Sequence, residues 1–242
     1  MKAKFKIITL LALLVGGCND KTGKTNQLSF GVSSEYPPFE YLQNGKVVGF
    51  DIDIATAVAY EMGMTAEFKD MKFASILPAI NSKIVDAGIS AITITPERAQ
   101  NYDFSDVYYT ISLSAIYRDG LTITNKGDIE GKKVACQIGT SSEIWLKKHN
   151  IAGEITSFDG TNQAIEFLKS GRADAVIVDS EVAIKYVEKN PGYKSIIVEK
   201  DVDGFGIALK KGSLLLTKVN QAINSLKNKG SIDQIKTKWK IN

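Results

Sequence analysis

From Gln27 onward, apolar residues recur first at every second position and then at every third or fourth, and this change of period marks out the elements. LSFGVS (28–33) predicts a short strand, and GFDIDIATAVAYEMGM (49–64) an amphipathic helix ending near Gly63. TAEFKDM (65–71) follows as a strand and SILPAINSK (75–83) as a helix. VDAGISAITIT (85–95) is apolar and rich in β-branched residues, the pattern of a strand buried on both faces. Thr95 then suits an N-cap, with Pro96 at the first position of a helix that carries Arg98.

The second half follows the same plan. KKVACQI (132–138) predicts a strand, and Thr140-Ser141-Ser142-Glu143 a capping box that opens the helix EIWLKKH. The run 161–190 predicts helix, buried strand, then a helix from Ser180 to just before Pro191. AINSKIVDAGIS (79–90) and FLKSGRADAVIV (167–178) share the order helix, polar turn, Asp-Ala, buried strand. Strands and helices in turn predict an α/β fold of two lobes, each a mostly parallel sheet flanked by helices. The β-rich stretches 111–118 and 194–211 lie between the units, and the chain after Gly206 is too short for a third lobe. It is expected to pack back on the first. Lobe 1 is thus assigned to 27–112 and 206–242, and lobe 2 to 113–205, with two crossover strands suited to hinge motion.

The start of the chain breaks this pattern. Lysines at 2, 4 and 6, an apolar run from Ile7 to Val15, then Gly16-Gly17-Cys18 give the order of a secretory signal too short to span a bilayer. Small residues before Cys18 also resemble a bacterial lipobox, so 1–18 is expected to be a lipoprotein signal and Cys18 the lipidated residue; a plain signal peptide is the alternative. Residues 19–26 are then a polar tether. Lipid would hold the protein at a membrane face, in the periplasm or on the outer face of the cell membrane. Cys136, in apolar KVACQI, then has no intrachain partner and suits a buried thiol.

Composition excludes more than it selects. A net charge of +3 with scattered lysines gives no case for nucleic acid. There is one histidine, no metal-ligand spacing and no GxGxxG, so no cofactor, metal or catalytic residue is expected. What remains are polar groups at the ends of predicted strands, where open α/β sheets bind ligands. Arg98 follows one buried strand and Asp179 ends another, while the loop 139–142 opens a helix whose free N–H groups attract anions. A guanidinium suits a carboxylate and Asp179 suits an ammonium, which together describe a receptor for a zwitterion.

EYPPFEYLQNGKVVGFDIDI (35–54), DAGISAITITPERAQNYDFSDVYY (86–109), GKKVACQIGTSSE (131–143) and ADAVIVDSEVA (173–183) resemble the polar amino-acid branch of the bacterial extracellular solute-binding proteins. These are the receptors of ABC importers, and the resemblance covers nearly all of 27–240. It implies a type II periplasmic-binding-protein fold that closes on its ligand, a monomer serving a permease and its ATPase. By position, Arg98 would clamp the ligand carboxylate, with Ser141 and backbone N–H groups near Ala91 and Ser141. Asp179 would hold the α-ammonium with Thr93 and the Ser90 carbonyl, and Tyr36 and Phe73 would sandwich the side chain. Ser33 stands where receptors for basic amino acids often carry an acid, Glu35 lies two residues on, and Gln137 could line the distal pocket. The resemblance favours arginine or another basic amino acid, with glutamine or another neutral polar one as alternative. A second alternative is a dehydratase of aromatic amino-acid synthesis on the same fold, for which Glu35 is the one candidate acid. A sensory module is a third, without a transmembrane or signalling segment after Asn242 to support it.

Overall fold

A computed structural model describes residues 26–241. The leader 1–18 with Cys18, and the tether as far as residue 25, lie outside the described residues. Along the chain the elements are β1 (Gln27–Val32), β2 (Glu35–Tyr36), β3 (Glu40–Gln43), β4 (Lys46–Val48), α1 (Phe50–Glu61), β5 (Thr65–Asp70), α2 (Phe73–Asn81), β6 (Ala87–Gly88), α3 (Pro96–Ala99) and β7 (Tyr102–Phe104). Then come β8 (Tyr109–Arg118), a 3-10 turn (Lys126–Ile129), β9 (Lys133–Gln137), α4 (Ser141–His149), β10 (Glu154–Phe158), α5 (Thr161–Lys169), β11 (Ala175–Asp179), α6 (Ser180–Lys189) and β12 (Tyr193–Phe205). The chain closes with β13 (Ala208–Lys210), α7 (Leu215–Asn228) and α8 (Ser231–Trp239).

These elements build two five-stranded sheets, in the orders β5-β1-β6-β13-β7 and β10-β9-β11-β8-β12. Each has the same plan: three parallel strands, a fourth that runs against them, and a fifth antiparallel to the fourth. β8 and β12 are the two passages between lobes, and they pair with each other along most of their length. The expected 112/113 boundary falls inside β8, whereas 205/206 coincides with the end of β12. A small third sheet, β2-β3-β4, folds the 35–48 segment over lobe 1.

Helices earn their places by burying one stripe. α7 buries Val219, Ala222, Ile223 and Leu226, the i, i+3, i+4, i+7 spacing of an amphipathic helix. α1 turns in at Gly49, whose φ of 143° and close approach to the Phe39 carbonyl leave no room for a Cβ. At the base of the two passages Phe39, Phe50, Tyr109 and Phe205 pack ring on ring, with centroids 5.1–6.1 Å apart. These rings belong to one buried apolar cluster that runs through both lobes, with a second, smaller cluster under α2 in lobe 1.

Two local expectations are corrected. Within 85–95 only Ala87–Gly88 form a strand; beyond it the chain bends, with Ala91 at a left-handed φ of 47°, and Thr93 makes an isolated bridge to Phe205. The capping box at α4 is half formed: the Thr140 hydroxyl accepts from Glu143 N, but the Glu143 carboxylate accepts from Gly139 N (2.8 Å) and Ser157 Oγ (2.7 Å) instead.

Candidate ligand-binding site

The carboxyl ends of the parallel strands converge between the lobes, as open α/β sheets require. From lobe 1, the turn after β1 brings Ser33 and Tyr36, the bend after β6 brings Ser90, Ala91 and Thr93, and α3 brings Arg98. Phe73 opens α2. From lobe 2, the end of β9 brings Gln137 and Ser141, and the end of β11 brings Asp179. All ten line one cleft between the lobes, closed so far that only about 10 Å³ stands open inside it. Glu40 and Thr140 line it too, and sequence reasoning had assigned neither.

Arg98 is buried, and its two terminal nitrogens donate to the carbonyls of Thr93 (2.5 Å) and, across the cleft, Gly139 (2.8 Å). Its guanidinium lies 5.7 Å from the Phe73 ring centroid. Burial lowers its pKa to about 10, which leaves it charged at neutral pH. Asp179 faces it, also buried, with Oδ2 accepting from the Tyr36 hydroxyl (2.7 Å) while that hydroxyl accepts from Asp179 N (3.0 Å). Asp179 Oδ1 is buried without a hydrogen-bond partner. Desolvation raises this carboxyl from 3.8 to about 7, with Tyr36 and Arg98 pulling the other way. The lobes are closed on each other, since Thr93 Oγ1 donates to Ser141 Oγ (3.2 Å) and Lys72 pairs with Asp159.

Behind the pocket sits a second acidic feature. Glu40 Oε1 accepts from Ser90 Oγ (2.7 Å), and Asp51 Oδ2 accepts from Ala91 N (2.6 Å) and the Tyr108 hydroxyl (3.0 Å). Both carboxyls are fully buried, and Glu40 Oε2 and Asp51 Oδ1 receive no N–H or O–H from any other group. Burial raises both pKa values, and the two groups share a hydrogen bond that one proton can supply. Ala91 therefore does not offer its own N–H to the pocket, contrary to expectation: the left-handed turn aims it at Asp51. The sequence leaves open the reach of Glu35. That residue does not line the pocket; it reaches over to lobe 2, where its carboxylate meets Gln137 and the start of α5. The signal for the buried pair was present, because Glu40 and Asp51 are acids set among aromatic and aliphatic residues, in FEYL and GFDI.

Among the described residues no cluster of His, Cys, Asp and Glu could hold a metal, and His149 is exposed at the end of α4. Cys136 is buried, and desolvation raises its thiol to about 11, as suits an unreactive residue. The site thus presents the Arg98 cation and the Asp179 carboxyl, facing each other from separate lobes across a small desolvated space, with two aromatic rings beside them and the Glu40 carboxyl behind.

The comparisons agree with this architecture. The family model for bacterial extracellular solute-binding proteins, family 3, matches residues 28–242. The arginine-binding extracellular protein ArtP of Bacillus subtilis is 33% identical over 239 residues, covering 96% of this chain and 93% of its own. The L-cystine-binding protein TcyJ of Escherichia coli is 32% identical, covering 92% and 86%. An ancestral arginine-binding protein, solved with arginine and with glutamine, superposes with a TM-score of 0.84 at 40% identity, over 88% of this chain and 97–98% of that one. These relatives are solute-binding receptors and not enzymes, so the dehydratase alternative falls. The chain belongs to the bacterial extracellular solute-binding proteins, family 3, with the two-lobed type II fold of that family.

Proposed function

We propose that this chain is the amino-acid receptor of an ABC importer, capturing one L-amino acid between its lobes and presenting it to a permease driven by a cytoplasmic ATPase. The observation that carries the reading is the facing pair: Arg98 charged and buried in one lobe, Asp179 buried in the other with one oxygen unpartnered. In this reading Arg98 takes the ligand carboxylate, with Ser141 and the first N–H groups of α4. Asp179 Oδ1 takes the α-ammonium, with Thr93 and the Ser90 carbonyl. Tyr36 and Phe73 hold the side chain, and Ser33 and Gln137 line its far end. A ligand that bridges both lobes binds the closed state better than the open one, and so draws the lobes together.

The ligand proposed is basic, with arginine first. The aromatic pair suits a guanidinium stem, and arginine is what ArtP and the ancestral protein are named for. Glutamine is the second reading, favoured by the neutral amide of Gln137 and by the ancestral protein's glutamine complex. The receptor is proposed to be a monomer held at the membrane by lipid on Cys18, with lobe 2 as the segment 113–205. A thermal-shift screen of the twenty amino acids on ligand-stripped protein tests the reading. A ligand at a hundred times its Kd adds about 2.7 kcal/mol, a rise of roughly 5–10 °C in Tm for a chain of this size. No shift with any of the twenty overturns it.

A further inference from the structure

Glu35 sits on β2 of lobe 1, but its carboxylate belongs to lobe 2. Oε1 lies 3.3 Å from Gln137 Nε2, and the Thr161 backbone N–H at the start of α5 is near enough to draw the carboxyl's pKa down. A Cβ at Gly160 would lie 2.5 Å from both Glu35 oxygens, so the seat exists only because residue 160 is glycine. Burial is the largest cause of a raised pKa at Glu35, followed by the charge of Asp70.

Gln137 is where this contact matters. Its Nε2 donates to Glu35 Oε1 and to the Asp159 carbonyl (3.0 Å), while its Oε1 accepts from the Thr161 hydroxyl (2.9 Å). A carboxylate and a carbonyl have no hydrogen to give, so the amide can stand only with its nitrogen toward them; the flipped amide would face oxygen to oxygen twice. Both N–H groups are then used, and what Gln137 has left is acceptor capacity on Oε1. The residue is buried and lines the ligand pocket.

We infer that Glu35 is a positioning residue for ligand selectivity: acting through Gln137, it fixes that amide as an acceptor-only wall of the pocket. The inference rests on the amino-acid-receptor reading. An acceptor-only wall favours side chains that end in N–H donors, a guanidinium above all, and disfavours ends that carry an oxygen in the same place. Because Glu35 and Gln137 come from different lobes, the wall is completed only when the lobes close.

The test is a cycle of variants read as a ratio of affinities, which cancels any effect of Glu35 on closure common to all ligands. Calorimetry gives Kd for arginine and for its ureido isostere citrulline in wild type, E35Q, Q137M and E35Q/Q137M. Glutamine at 35 can donate as well as accept, and so removes one of the two acceptors that hold the Gln137 amide, leaving the Asp159 carbonyl alone. The citrulline-to-arginine Kd ratio is expected to fall about fivefold or more from wild type to E35Q, and to change less than about twofold between Q137M and the double variant. E35D keeps a pure acceptor and is expected to hold the ratio closer to wild type than E35Q does, which supplies a readout should Q137M fail to fold. An equal change of ratio in both backgrounds would show a direct charge effect and overturn the inference, as would an unchanged ratio in E35Q, or an E35D ratio equal to that of E35Q. A wild type that prefers glutamate to arginine and citrulline overturns it directly. A wild type that binds none of the twenty amino acids overturns the receptor reading itself.

Discussion

Asp179→Asn tests two consequences of one buried charge. Asparagine keeps the shape and can still meet the Tyr36 hydroxyl, but it offers an ammonium no charge. Removing one partner of a buried, hydrogen-bonded charge pair costs about 2–5 kcal/mol, which at about 1.4 kcal/mol per tenfold is a loss of affinity of roughly 30-fold to a few thousandfold. The ligand-free protein should respond in the opposite sense. Its Asp179 carboxyl is held at about 7 in place of 3.8, by desolvation above all. A raised acid binds its proton more tightly folded than unfolded, so its contribution is full at low pH and is lost as pH climbs from about 4 through 7. At pH 8 the ionised, unliganded aspartate therefore weakens the fold in a way that asparagine does not. Each kcal/mol recovered raises Tm by about 2–4 °C, so the variant should melt several degrees above wild type at pH 8, with the gain shrinking towards pH 4. Calorimetric titration and thermal melts of ligand-stripped protein read both effects. A Kd within threefold of wild type, or a ligand-free variant that melts below wild type at pH 8, refutes the reasoning.

Further expectations follow from the same geometry. Ligand binding needs Asp179 ionised, so Kd should be level above pH 7 and rise by up to about tenfold per pH unit below it; titrations from pH 5 to 8 check this, and a constant Kd down to pH 5 contradicts it. Arg98→Ala removes the proposed carboxylate clamp and the tie between the Thr93 and Gly139 carbonyls, and should weaken binding at least about 100-fold. Arg98→Lys keeps the charge but not the fork and should recover only part of the loss, as seen by calorimetry on samples whose circular dichroism matches wild type. At Gly49, φ is 143° and a Cβ would lie 2.0 Å from the Phe39 oxygen, so Gly49→Ala should cost about 3 kcal/mol or more in urea unfolding. Gly45→Ala, at φ 74° with open space around it, should cost about 1 kcal/mol.

The alternation of elements, the two crossings and the return of the chain to lobe 1 were legible because each rests on local periodicity or on counting elements. The meeting of Arg98 and Asp179 in one pocket was legible as well, since residues at the carboxyl ends of buried strands must converge. What escaped was decided by contacts between distant segments. VDAGISAITIT has the letters of a long strand, yet tertiary contact bends it after Gly88, where the Ala91 N–H is drawn to Asp51, forty residues earlier. Glu143 carries the letter of a capping box, yet the Gly139 N–H and the Ser157 hydroxyl compete successfully for its carboxylate. Glu40 drew no role from the sequence, because its partners, Ser90 and Asp51, come from other segments of the chain. Where Glu35 reaches stayed open in the linear reading, because nothing there reveals that lobe 2 brings a helix start to meet it.

The position of β13 sets an order on how this protein can come into being. That strand lies inside the first sheet, between β6 and β7, but it is made of residues 208–210, near the end of the chain. During synthesis, residues 109–205 can complete the second sheet from a continuous stretch, while β7 must wait for a neighbour that has not yet been made. The lobe that starts first therefore finishes last. Its completing contacts, Ala208 with Gly88 and with Phe104, span more than a hundred residues, the long-range kind that forms slowly.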